Sequence, residues 1–134
     1  MRSIINLLKD ILQKMLEFTN SLNKKVENEL LWTNPSPTSE FEAQAVSLSL
    51  AHGDKITIDY WFRNDHKAIA TGQAYVGVTT DAGVYIYADG SQRKRVATVS
   101  ASGITFASAL LNGYANNAYC IPYKIYKIKS GGGY

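Results

Sequence analysis

Two periodicities divide the chain. From Ser3 to Leu31, apolar side chains return at alternating steps of three and four: Ile5, Leu8, Leu12, Met15, then Leu22 and Val26 around Thr19. That spacing, with no Gly or Pro before Pro35, predicts one amphipathic helix over 3–31 with Ser3 as its N-cap. Ile4, Ile11 and Phe18 lie on an adjacent line, so the apolar stripe is wider than the seam of a two-stranded coiled coil. The opposite face carries Lys9, Asp10, Gln13, Lys14, Glu17, Lys24 and Glu27. Such a helix buries its stripe either by associating with copies of itself or by folding back on the rest of the chain. The joint after it favours self-association.

The joint is LWTNPSPTSEF, residues 31–41. Pro35 and Pro37 lack amide hydrogens and push Asn34 and Ser36 out of the helical region, so the helix must stop near Trp32. Trp32 and Phe41 bracket the joint and are expected to pin it to the C-terminal part of the chain. From about residue 43 the period becomes two. AVSLSL (45–50), KITIDYWF (55–62), QAYVGVT (73–79), GVYIYA (83–88), KRVATVS (94–100), GITFAS (103–108) and PYKIYKI (122–128) read as short strands. Turn residues separate them at Ala51–Asp54, Asp81–Gly83, Asp89–Ser91 and Ala101–Gly103. The pattern predicts a mainly β protein: an N-terminal helix (1–31), a joint (32–42), an antiparallel β-sandwich or jelly-roll-like unit (43–128) and a Gly-rich tail (129–134).

Composition changes this picture little. The 134 residues allow one modest core plus an extension. A net charge of +3 is far from the concentrated basic face of a nucleic-acid binder, so no nucleic-acid partner is expected. The N-terminal apolar run is broken by Lys9, Asp10 and Lys14, which argues against a signal peptide, and no run is long enough for membrane insertion. The single cysteine, Cys120, sits in the apolar run AYCIPY and reads as a buried, inert thiol.

No GxSxG, P-loop, HExxH or EF-hand pattern occurs, and the adjacent pair Asp65–His66 would face opposite ways on a strand. The carboxylates are scattered, and His52 and His66 read as surface residues. No catalytic residue, metal site or cofactor is expected, and an enzyme is not the reading. Two features point to partner contact instead. Tyr85 and Tyr87 share one strand face opposite Val84 and Ile86, and exposed tyrosines fill protein interfaces or stack on sugars. Arg93-Lys94-Arg95 lies just beyond the Asp89 turn; Arg93 and Arg95 are candidates for phosphate or acidic-glycan contact, or charged guards of an edge strand.

The joint LWTNPSPTS, the hairpin SASGITF and the terminal CIPYKIYKI resemble a group of small virion proteins of gut bacteriophages, described in that group as tail or fibre proteins. The resemblance covers most of residues 30–128. It implies a homotrimeric appendage of the virion, synthesised in the host cytoplasm: a coiled-coil stalk ending in β knobs. Ile5, Leu8, Leu12, Met15, Leu22 and Val26 would then form the trimer seam. Tyr85, Tyr87, Arg93 and Arg95 would face other virion proteins, or a host glycan or protein. A stalk of about thirty residues spans only about 45 Å. That length equally suits a head decoration or baseplate component; a stand-alone carbohydrate-binding module is the other alternative.

Overall fold

A computed structural model describes residues 3–26, 28–63 and 69–129, without the side chains of 20–26 and 69. The chain divides into a helical segment that ends by Asn28 and a β unit, Glu29–Ile128. The helix α1 runs Ile4–Val26, 23 residues, or about 34 Å. Ser3 caps it as expected: its Oγ accepts the Asn6 amide at 3.2 Å and its carbonyl the Leu7 amide at 3.2 Å. Gln13 and Glu17 bond one turn apart on the polar face.

The helix is shorter than its apolar period predicts. Glu29–Thr33 form a strand, β1, rather than a last helical turn. β1 pairs antiparallel with the terminal strand β11 (Tyr119–Ile128), with Leu30 opposite Tyr126 and Trp32 opposite Ile125. Tertiary pairing overrides helix propensity in the run ELLWT. The joint is therefore not a free hinge. The Asn34 amide donates to the Tyr123 carbonyl at 2.8 Å, and its side-chain Nδ2 donates to the Pro122 carbonyl at 2.8 Å. Asn34 Oδ1 accepts the Ser36 amide at 2.8 Å, closing a turn before the second proline. The change from helix to strand falls between Val26 and Glu29.

The β unit is built from three antiparallel sheets. The first has the order β1-β11-β3-β4, with β3 at Lys55–Arg63 and β4 at Ile69–Tyr75. The second has the order β10-β9-β6-β5: β5 is Val84–Ala88, β6 Ser91–Arg95, β9 Leu110–Leu111 and β10 Tyr114–Ala115. The third has the order β2-β8-β7: Gln44–Ser47, Gly103–Phe106 and Ala97–Ser100. One core joins all three. Ile56, Ile58 and Tyr60 come from β3, Ile121 and Ile125 from β11, Val84 from β5, and Val99, Ile104 and Phe106 from the third sheet. The period of two read in KITIDYWF is the alternation observed, with even positions buried through Tyr60.

Three strands differ from the sequence reading. β4 begins upstream of QAYVGVT and ends at Tyr75, because Tyr75–Thr79 closes a turn: the amides of Val78 and Thr79 bond the Tyr75 carbonyl, and the Thr79 hydroxyl accepts the Tyr75 amide at 2.8 Å. KRVATVS is split at Val96, whose carbonyl accepts the Ala107 amide at 3.0 Å. AVSLSL leaves the sheet after Ser47, although Leu48 and Leu50 still bond the carbonyls of Ser102 and Ala101. The β9–β10 hairpin was not anticipated. Its signal is Asn112-Gly113, with φ of 49° and 86°, a pair suited to a two-residue hairpin turn. Asp89-Gly90, with φ of 53° and 73°, makes the same kind of turn between β5 and β6, where turn residues were expected.

Candidate functional site

Four features of the two units bear on function. The helix carries the first. Ile5, Leu8, Leu12 and Met15 are exposed, as are the flanking Ile4, Ile11 and Phe18; Leu12 is 64% exposed. The side chains of Leu22 and Val26, the lower part of the predicted seam, lie outside those described. Burying one such side chain completely contributes about 1.5–3 kcal/mol. These side chains are about half exposed or more, so covering the stripe is worth roughly 1 kcal/mol per residue.

The second feature is the outer face of the second sheet. Tyr85 and Tyr87 are 60% and 66% exposed, while Val84 is buried and Ile86 half-buried, as their alternation predicts. Register sets Tyr85 opposite Lys94 and Tyr87 opposite Gln92, with Lys94 in turn opposite Leu110. The face is thus two tyrosine rings beside one lysine and one glutamine.

The third feature corrects the reading of the basic cluster. Arg93 and Arg95 are 6% and 1% exposed and cannot meet a partner; only Lys94 points outward. The parity that buries Ala97 and Val99 also buries both arginines. Arg93 Nη1 bonds the carbonyls of Ala88 (2.7 Å) and Ser91 (3.3 Å), holding the turn end of the β5–β6 hairpin. Its guanidinium lies 4.7 Å from the Phe62 ring and 4.9 Å from the Tyr119 ring. Arg95 donates to the carbonyls of Cys120 (2.7 Å), Ala107 (2.7 Å), Phe41 (2.8 Å) and Tyr119 (3.3 Å). Burial lowers its pKa to about 10, which leaves it charged near neutrality. Cys120 is buried beside it, in a left-handed conformation (φ 49°). Burial raises its thiol pKa to about 11, which makes it a poor nucleophile. Burial also raises the pKa of Tyr60, whose hydroxyl donates to the Ala82 carbonyl at 2.8 Å.

The fourth feature is a cleft of about 300 Å³ at the joint, lined by Trp32, Asn34, Pro35, Ser36, Glu40, Phe41 and Gln44. Trp32 and Phe41 pack edge to face at 6.2 Å, and both rings contact Phe106, so the bracketing aromatics do pin the joint. The sequence signal for this cleft was that aromatic pair; Glu40 and Gln44 carried none.

Among the described residues, no group of three or more His, Cys, Asp or Glu could hold a metal ion, and no helix is long and apolar enough to cross a membrane. His52 is exposed; Asp65, His66 and the tail SGGGY lie outside the described residues. No family model, curated protein or solved structure matches the chain.

Proposed function

We propose that the chain is a structural, non-catalytic component of a bacteriophage virion. It self-associates through α1 as a trimeric coiled coil, and its sandwich- or jelly-roll-like β units act as knobs that present the Tyr85–Tyr87 face to another virion protein or to the host surface. One observation carries the reading: a 23-residue helix with a wide, exposed apolar stripe. In folded proteins most helical stability comes from packing an amphipathic face, and α1 leaves that face exposed. Three helices cover a stripe of this width more fully than two. The resemblance of the joint, the SASGITF hairpin and the terminal strand to small phage virion proteins supports the virion setting. The tyrosine pair supplies rigid amphipathic contact area of the kind that recognition surfaces use.

Placing Asp at both Leu8 and Leu12 tests the assembly. Unpaired charges in a buried seam cost several kcal/mol, so the variant should sediment as a monomer with its β unit folded. Retention of the wild-type mass would remove α1 from the assembly. Tyr85→Ala with Tyr87→Ala tests the display. Both side chains are exposed, so mass and melting temperature should stay unchanged while adsorption to host cells or to the neighbouring virion protein is lost.

A further inference from the structure

The joint cleft has a chemistry that assembly and display do not use. We propose that it binds one ring of a neutral saccharide. Its volume of about 300 Å³ is at the small end of ligand sites and holds about ten water molecules, room for a single sugar ring rather than a chain. Trp32, half-buried, is the lining's accessible aromatic ring, backed edge-on by the buried Phe41, and an aromatic ring is a surface on which the C–H face of a pyranose packs.

Three lining side chains offer hydrogen-bond acceptors. Among the described residues, neither the Glu40 carboxylate nor the Ser36 hydroxyl has a hydrogen-bond or ion-pair partner. Gln44 commits its side-chain nitrogen to the Glu42 carbonyl at 3.1 Å, which leaves its own carbonyl available. A carboxylate, an amide carbonyl and a hydroxyl in one lining with an aromatic ring suit a ligand rich in hydroxyl donors. Asn34 is not part of the recognition set. Its amide is spent on Pro122 and Ser36, and that fixes the wall of the cleft before a ligand arrives.

Charge selects among ligands. Glu40 is the one ionised residue of the lining, and the buried Arg95 guanidinium lies behind it, 5.2 Å from the Phe41 ring. The two charges oppose one another, so neither a sialic or uronic acid nor a quaternary ammonium is favoured there over a neutral ring. The cleft uses neither α1 nor Tyr85 and Tyr87, so a monomeric chain would carry the same site and the proposal stands or falls separately from the assembly.

The test is a nitrogen-15 NMR titration of the full-length protein with methyl glycosides of glucose, galactose, mannose and N-acetylglucosamine. Tetramethylammonium and a methyl sialoside serve as charged comparators. At least one neutral glycoside should shift the Trp32 indole N–H and the Gln44 side-chain amide; Trp61→Phe assigns the indole signal. Glu40→Ala, at an exposed and unbonded position, should weaken that binding about tenfold or more, whereas Tyr85→Ala should leave it unchanged. The proposal is overturned if no neutral glycoside moves these signals, if only the ammonium or the sialoside does, or if Glu40→Ala binds as tightly as the wild type.

Discussion

Replacing Arg95 by Met should destabilise the β unit by about 2–4 kcal/mol. The side chain is 1% exposed, and its guanidinium serves carbonyls from three separate stretches: Phe41 in the joint, Ala107 after β8, and Tyr119 and Cys120 at the start of β11. Three of these bonds are short, at 2.7, 2.7 and 2.8 Å. Met keeps the apolar stem but donates nothing, and leaving a buried acceptor unsatisfied costs about 1–3 kcal/mol per group. The three short bonds therefore set a loss of roughly 3–9 kcal/mol. Keeping a guanidinium dry costs several kcal/mol in the wild type, and Met removes that term. The carbonyls win, because they remain buried in either variant while the arginine can be replaced. For a unit of this size the net loss lowers Tm by roughly 10–20 °C. Arg95→Lys should fall between, since one ammonium cannot reach all the carbonyls in the geometry of a planar fork. Lys94→Met, one residue away and exposed, should change stability by less than about 0.5 kcal/mol. Thermal denaturation followed by circular dichroism at 218 nm, or about that wavelength for β structure, reads all three. A Tm for Arg95→Met equal to that of Lys94→Met would refute the argument that this cation organises the core.

Three further outcomes rest on individual groups. The folded pKa of Cys120 is raised to about 11 from 9.0 by burial, so the stability it contributes is complete below pH 9 and is lost as pH rises towards 11. Cys120→Ala should therefore lose less stability than the wild type between pH 8 and pH 11, by roughly 3 kcal/mol at most, measured by parallel denaturant melts. Asn34→Ala removes two side-chain hydrogen bonds of 2.8 Å from a buried turn and should cost about 2–3 kcal/mol in urea unfolding; a change below about 0.5 kcal/mol would mean the joint is held by its aromatics alone. In Gly72→Ala the new Cβ would run into the Ala82 carbonyl that Tyr60 also bonds, and overpacking there should cost about 1–3 kcal/mol, against near-neutrality for Gly72→Ala if that approach is loose.

Much of the fold was legible where a local rule and the tertiary structure agree. The alternation of KITIDYWF gave β3, Asp89-Gly90 gave a hairpin turn, and Ser3 gave the helix start. The misses share a physical cause. ELLWT continues the helical apolar pattern, and only pairing with β11, distant in sequence, makes it a strand. Pro122 argues locally against a central strand. It is accommodated because the β11–β3 register shifts just beyond it, between Pro122 and Lys124, where a strand tolerates a missing donor. Arg93 and Arg95 look like surface charge by residue type. Their parity with Ala97 and Val99 was the signal that they face inward, and it conflicts with the rule that charge stays outside unless it is paired or hydrogen-bonded. The exposed tyrosines were legible from alternation alone. Of the cleft, the Trp32–Phe41 pair alone was legible; Glu40 and Gln44 carried no signal.

The central claim is that α1 covers its stripe with copies of itself. Light scattering on the purified full-length protein measures this directly. The account predicts three times the 14.8 kDa chain mass, independent of concentration over the micromolar range. A mass of one chain at all concentrations would contradict it.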